Sequence, residues 1–427
     1  MSRPPSIRQG PVHPPAGAGS SLPRPDRRHA LARLGAGLGL GLGACWGVAA
    51  RAQVPAAWTA VEGRARGQTV YFNAWGGSPA INAYIEWAGA QVLARHGVRV
   101  VQVKITDAAD VVKRVRNEKA AGRSEGSVDL VWINGENFLT MKREGLLFGP
   151  FAQSLPAHAA VDSVGKPTTR IDFGEPVDGM EAPWGMAQLT FMADARRTPS
   201  PPRSSAEWLA FARANPGRLS YPRPPEFHGT TFLKQLLLDL SDDRAPLYRP
   251  LIADGFARAT APLWAALDAV HPSLWRGGRQ FPASAAALRQ LFADGELLLA
   301  LTFNPNEAAN EIAARRLADS VVSYQFPSGT VGNTHFVAIP FNARAREGAQ
   351  VLANFLLSPE AQARKADITV WGDPTVLSLA ALSPEDRARF GSRTLAGQVE
   401  RTAPALPEPH GSWVDPLEQE WLRRYGR

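Results

Sequence analysis

One cysteine, Cys45, is all the chain has, and it lies within the first 52 residues. The rest can form no disulfide, no cysteine-based zinc site and no cysteine nucleophile. No Walker A loop, dinucleotide fingerprint or H-E-x-x-H occurs. No stretch beyond the leader reaches the ~18 uninterrupted apolar residues of a membrane span. Positive charge is scarcer than the net of +8 suggests. Residues 1–52 hold seven Arg and one Asp, which leaves 40 basic against 38 acidic residues beyond them. A balance that close carries no nucleic-acid footprint, so no nucleic-acid partner is expected. No fixed-period repeat is present.

The leader has the layout of an export signal. Residues 1–26 are rich in Pro, Gly and Ser. Arg27-Arg28-His29-Ala30-Leu31 is a charged n-region, Leu34–Ala50 an apolar h-region, and Ala50-Arg51-Ala52 a small-x-small cleavage site. Residues 1–52 are therefore expected to be removed after Ala52, giving a periplasmic protein. The paired arginines resemble a twin-arginine signal. Leu42-Gly43-Ala44-Cys45 resembles a lipoprotein box, and lipidation at Cys45 is the alternative processing route.

At 427 residues and 44% hydrophobic, the chain has material for two or three domains. Its organising stretch is Ser127–Phe138, SVDLVWINGENF. Val128–Ile133 reads as a buried parallel strand, and Asn134-Gly135-Glu136-Asn137 as the polar loop at its carboxyl end. Open α/β sheets hold ligands just beyond such ends. Upstream, Gln68–Asn73 reads as a strand and Trp75-Gly76-Gly77 as a tight loop. Ser78 and Pro79 open a helix that Gly97 ends. Val98–Thr106 is a second strand, and Thr106 or Asp107 caps the next helix. This alternation implies a parallel sheet with right-handed crossovers. Gly122-Arg123-Ser124-Glu125-Gly126 matches the G-x-S-x-G elbow, but a helix precedes it and a strand follows, the reverse of what the elbow requires.

Glu181–Ala193 is an extended apolar run. A second βα-rich unit follows. Ser204-x-x-Glu207 is a capping box. Arg218–Tyr221 reads as a short strand, and His228-Gly229-Thr230-Thr231 leads into a helix from Phe232 to Leu240. Glu296–Phe303 is a strand ending at Asn304-Pro305-Asn306. Val321–Phe326 is another, and Gly332-Asn333-Thr334-His335 precedes a last strand, Phe336–Pro340. Trp413–Tyr425 is an amphipathic helix.

In order, VYFNAWGG, DLVWINGENF, APWGMAQLTFMAD, the SPEAQ helix at Ser358–Gln362 and VWGDPTV at Val370–Val376 make the chain resemble an extracellular solute-binding protein of an ABC importer. The resemblance is to family 1, with the type II periplasmic-binding fold. Within it, the chain is nearest an uncharacterised import subgroup called thiamine-type. The implied fold is α/β with two lobes, each a mixed sheet flanked by helices, joined by hinge crossings. Residues 53–188 would begin lobe 1, 189–331 would form lobe 2, and 332–427 would return to lobe 1 and add the C-terminal helices. The implied action is a clamp, closing on one small solute and docking on a membrane permease and its ATPase; a monomer is expected.

Carried over position by position, the resemblance places the cleft at Trp75, Gly76, Gly77, Ser78, Asn134, Glu136 and Asn137 of the first lobe. The second lobe would add His228, Gly229, Thr230, Asn304 and Asn306, and the crossings Trp184, Met186, Asn333 and His335. Trp75 and Trp184 read equally as core aromatics, and Asn304 and Asn306 as turn residues. Family members that bind ferric iron use adjacent tyrosines. The six tyrosines here, at 71, 84, 221, 248, 324 and 425, have no neighbours among themselves. No metal or cofactor is expected, and aromatic faces with one carboxylate suit an organic cation. Two other classes stay open: an exported enzyme pairing Glu136 with His228 or His335, and an adhesion or scaffold protein.

Overall fold

The computed structural model describes residues 56–252, 254–391, 395–399 and 403–426. The expected export signal, with Cys45 and the cleavage after Ala52, lies outside the described residues. Among the described residues, no helix is long and apolar enough to cross a membrane.

In chain order the strands are β1 (Thr69–Trp75), β2 (Arg99–Ile105), β3 (Leu130–Ile133), β4 (Ile171–Asp172), β5 (Glu175–Pro176) and β6 (Glu181–Gln188). They continue with β7 (Thr190–Asp194), β8 (Leu299–Thr302), β9 (Val321–Tyr324), β10 (Thr330–Ala338) and β11 (Ala405–Leu406). The first sheet has the order β11-β10-β3-β1-β2, with β6 also paired to β10. β1 is parallel to β2 and β3, whereas β10 is antiparallel to β3 and β6. The sheet is therefore mixed, and β3 has a parallel neighbour on one side only. The cause is long-range: β10 returns from the second lobe and enters beside β3 in the opposite direction. The second sheet, β8-β7-β9, is antiparallel throughout.

Local chemistry explains the helices of the first lobe. Ser78 caps the helix Pro79–His96 by accepting from the Ile81 N–H, and Pro79 presets the first turn. Gly97 ends it in the left-handed region at φ 66°, where a side chain would be strained. Ile81, Tyr84, Ile85, Ala88 and Val92 are buried on one face of the sheet, with Val70 and Phe72. Val111, Val112 and Val115, from the helix Ala108–Ala120, pack on the other face with Val131, Ile133 and Phe138. The parity of β3 thus divides its apolar run between two cores.

The second lobe has one core, which includes Phe191, Phe232, Leu236, Trp264 and Phe292. The C-terminal helix Val414–Tyr425 packs on this lobe, burying Leu417 and Trp421. Trp421 Nε1 donates to the Tyr221 hydroxyl at 2.8 Å.

Several expected elements shift. Arg218–Tyr221 is not a strand. Its carbonyls are used singly, Arg218 by the Leu298 N–H and Leu219 by the Trp275 N–H, with no continuous ladder. His228–Thr231 lies inside the helix Phe227–Leu240, because Glu226 caps that helix earlier than expected. Gly332–His335 is strand rather than lead-in, since β10 pairs there with Gly185–Gln188.

Asp129 joins three elements. It is buried, and its carboxylate accepts from the Tyr71 N–H at 2.9 Å and the Ala345 N–H at 2.8 Å. Asp129→Ala strands both donors and should lower the unfolding free energy by about 2–3 kcal/mol, measured by urea denaturation.

Candidate functional site

A cavity of about 430 Å³ lies between the two lobes. Its first wall is built at the carboxyl ends of β1, β2 and β3, where Trp75, Asp107 and Asn134 precede or open helices. Its second wall uses the starts of three helices, Phe227–Leu240, Ala285–Ala293 and Glu307–Ala313. Converging helix starts would ordinarily attract an anion. Here the chain's own side chains take up free N–H groups. Asp107 accepts from the Ala109 N–H, Asp172 from the Gly135 N–H, and Glu226 from the His228 and Gly229 N–H groups.

The two histidines at the cavity are held by their own carboxylates. His228 Nδ1 lies 2.8 Å from Glu226 Oε1. Burial would push the Glu226 carboxyl up, yet His228 and the Gly229 N–H hold it below its usual range. His335 Nε2 lies 3.2 Å from Asp373 Oδ1, and Lys365 Nζ lies 2.7 Å from Asp373 Oδ2. Burial opposes ionisation of Asp373 as well, and Lys365 and His335 overcome it. On the second wall Arg289 pairs with Glu307, and Arg316 grips Glu311 through two bonds of 2.6 and 2.8 Å.

Glu136 differs. It stands in the first turn of the helix Gly135–Arg143, and Asn137 Nδ2 donates to its Oε1 at 2.8 Å. Burial pushes its carboxyl up to about 7. Lys234 works against that rise but is itself committed, 2.7 Å from Glu408, with its Nζ 4.3 Å from the centre of the Phe173 ring. Glu418, on the C-terminal helix, accepts from the Thr230 hydroxyl at 2.7 Å, and burial pushes it up to about 8.

Ten of the sixteen cleft candidates line the cavity: Trp75, Gly77, Ser78, Asn134, Glu136, Asn137, His228, Thr230, Asn304 and His335. Six do not. Trp184 is fully buried behind Trp132 and Trp371, with ring centroids 4.9 and 5.5 Å away, so its core reading is the one the structure shows. Gly76 lies against the Lys104 side chain. Gly229 is a packing glycine, since a Cβ there would meet the Pro222 carbonyl oxygen at 2.1 Å. Met186 packs on the first-lobe core. Asn333 is covered by the strap 403–413, where its amide donates to Glu408 Oε1 at 3.0 Å. Asn306 turns away from the cavity and donates to the Gly372 carbonyl.

With Asn306, Asn304 and Asn310 form an amide clamp between the lobes. Asn304 Nδ2 donates to the Trp371 carbonyl at 3.3 Å, and Asn310 Nδ2 to that of Ile368. Sequence reasoning missed Asn310, Trp132, Trp371, Asp373 and Glu418. Trp371 and Asp373 sit in the quoted VWGDPTV stretch, and Trp132 in the organising strand; nothing local marks Glu418. Among the described residues, no group of three or more His, Cys, Asp or Glu side chains is arranged to hold a metal ion.

Glu181 is fully buried, and among the described residues neither carboxyl oxygen has a hydrogen-bond partner. Burial, with Asp172 nearby, pushes its carboxyl well above the usual range. The folded state therefore holds this proton more tightly than the unfolded chain does. The stability this confers is complete below the unfolded carboxyl range and is lost progressively as pH rises from there through the raised folded value. Glu181→Gln should gain about 1–3 kcal/mol over wild type between pH 4 and pH 8, measured by urea denaturation at both.

The sequence profile of the bacterial extracellular solute-binding proteins matches residues 87–388. The chain is 49% identical to protein YnjB of Escherichia coli (strain K12) over 370 residues, which is 86% of this chain and 94% of that protein. Its fold is similar to that of an ABC transporter from Clostridium perfringens, at a TM-score of 0.58 and 14% identity, covering 84% of this chain and 99% of that one. A periplasmic thiamin binding protein matches at a TM-score of 0.56 and 18% identity, covering 84% and 95%. At those identities the two structures show a shared fold.

Proposed function

Because the chain belongs to the bacterial extracellular solute-binding proteins, we propose that it is the exported, solute-capturing component of an ABC import system. It binds a small organic cation between its lobes and presents it to a membrane permease driven by an ATPase. Thiamine-like compounds are the first candidates and polyamines the second. The protein works as a monomer, without cofactor or nucleic acid.

The observation that carries this reading is the lining of the cavity. Its volume suits a single metabolite-sized ligand. Trp75, Trp132, Phe227 and Trp371 give it aromatic walls, and Glu136 faces it with no basic side chain in an ion pair. Aromatic faces and a free carboxylate favour a desolvated cation by up to ~2 kcal/mol per aromatic contact. Three of the helix starts that would favour an anion are already capped by the chain's own carboxylates, Asp107, Asp172 and Glu226.

The enzyme reading required Glu136 to pair with His228 or His335. Each histidine is instead bound to another carboxylate, Glu226 or Asp373. Transport binding therefore accounts for the site with fewer demands.

A thermal-shift screen of small solutes identifies the ligand, because binding to the folded state raises its melting temperature. With that ligand, small-angle scattering should show compaction of the lobes. Unchanged scattering together with product formation would move the case to the enzyme. In calorimetry, Glu136→Gln should weaken binding by roughly 1.5–3 kcal/mol, the range for a charged hydrogen bond.

A further inference from the structure

Seven carboxylates line the cavity, and five of them are already occupied. Asp107 caps its helix, and Glu226 holds His228 together with two backbone N–H groups. Glu307 is paired with Arg289, Glu311 with Arg316, and Asp373 with Lys365 and His335. Glu136 and Glu418 remain. Among the described residues neither lies in an ion pair, and each accepts from a neutral side-chain donor, Asn137 or Thr230. They also come from different lobes, one from the helix Gly135–Arg143 and the other from the C-terminal helix on the second-lobe core.

We propose that Glu136 and Glu418 form one seat for the positive charge of the solute, and that the seat gives up a proton when the cation enters. This rests on the cationic-solute reading above and deepens it. Glu136 and Glu418 line the same cavity, where every basic side chain among the described residues is already paired, so ionising both is disfavoured without a counter-charge. An arriving cation supplies that charge, so binding and proton loss are linked.

The surroundings agree. Lys234, on the helix Phe227–Leu240, is the base that favours ionisation of both, and it is bound to Glu408. Asp107, at the start of the helix Ala108–Ala120, and Asp415, one turn before Glu418, oppose ionisation of Glu136. Asp415 and Glu136 do the same to Glu418. Asp172, at the Gly135 N–H behind Glu136, adds a further acidic neighbour. With the carboxyls raised to about 7 and about 8, the empty seat keeps proton character at neutral pH. As an interacting pair they titrate together, and the released proton belongs to the pair.

The test is calorimetry on the exported protein with choline, thiamine and 1,4-diaminobutane at pH 5.5, 6.5, 7.5 and 8.5. Running each titration in two buffers of different ionisation heat counts the protons released. Choline keeps its charge across the range, so its pH dependence comes from the protein. Affinity should rise by up to about tenfold per pH unit below pH 7 and level off above pH 8, with about one proton released near pH 6.5. Glu418→Gln should weaken binding at pH 8.5 and flatten the profile. Binding that is independent of pH, or a Glu418→Gln variant that binds and titrates like wild type, overturns the seat while leaving the cationic-solute reading intact. Failure of every cation at all four pH values removes that reading, and the seat with it. The proton count uses the unaltered protein, so it stands even if a variant folds poorly.

Discussion

β10 is the constraint on which the rest depends. Over nine residues its backbone pairs with β11, β6 and β3. Its side chains enter three cores: Val331 joins the second lobe, and Phe336 and Val337 the two faces of the first-lobe sheet. A slip of one residue would reverse every side chain on the strand and unmake all three. The cleft lies beside it because His335 sits mid-strand, next to the irregularity in pairing between His335 and Phe336. The lobes therefore share one ladder of backbone hydrogen bonds, and the cavity lies beside it, where His335 reaches its lining.

Charge is distributed around the cavity with the same economy. Carboxylates cap helix starts, orient both histidines and neutralise both arginines. The aromatic residues form two layers. Trp132 and Trp371 face the cavity, while Trp184 fixes them from behind. A ligand thus meets side chains already held in place, which lowers the ordering cost of binding.

Elements whose cause is local were legible in the sequence. Ser78, Pro79 and Gly97 mark one helix because caps and left-handed turns depend on neighbouring residues alone. The family and its two-lobe fold were legible from the order of motifs. The antiparallel entry of β10 was not, because its partners lie more than 140 residues upstream. Nor was the fate of Trp184 and Asn333, on paired strands like other candidates. What buries them arrives late in the chain: Trp371 beside one, and the strap with Glu408 over the other. Glu418 reads in sequence as the polar face of an amphipathic helix, and only the packing of Leu417 and Trp421 turns it toward the cavity.

The three-asparagine clamp has a separate consequence. Asn304, Asn306 and Asn310 hold the 368–372 segment through neutral amides bonded to carbonyls. Such bonds carry no net charge, so dissolved electrolyte screens them little, whereas a charged contact open to solvent weakens as the Debye length shortens. The hold of one lobe on the other is therefore insulated from ionic strength, while the grip on the proposed cationic solute would not be. A protein outside the cytoplasm meets changing salt, and this division lets its architecture stay constant while its occupancy follows the medium.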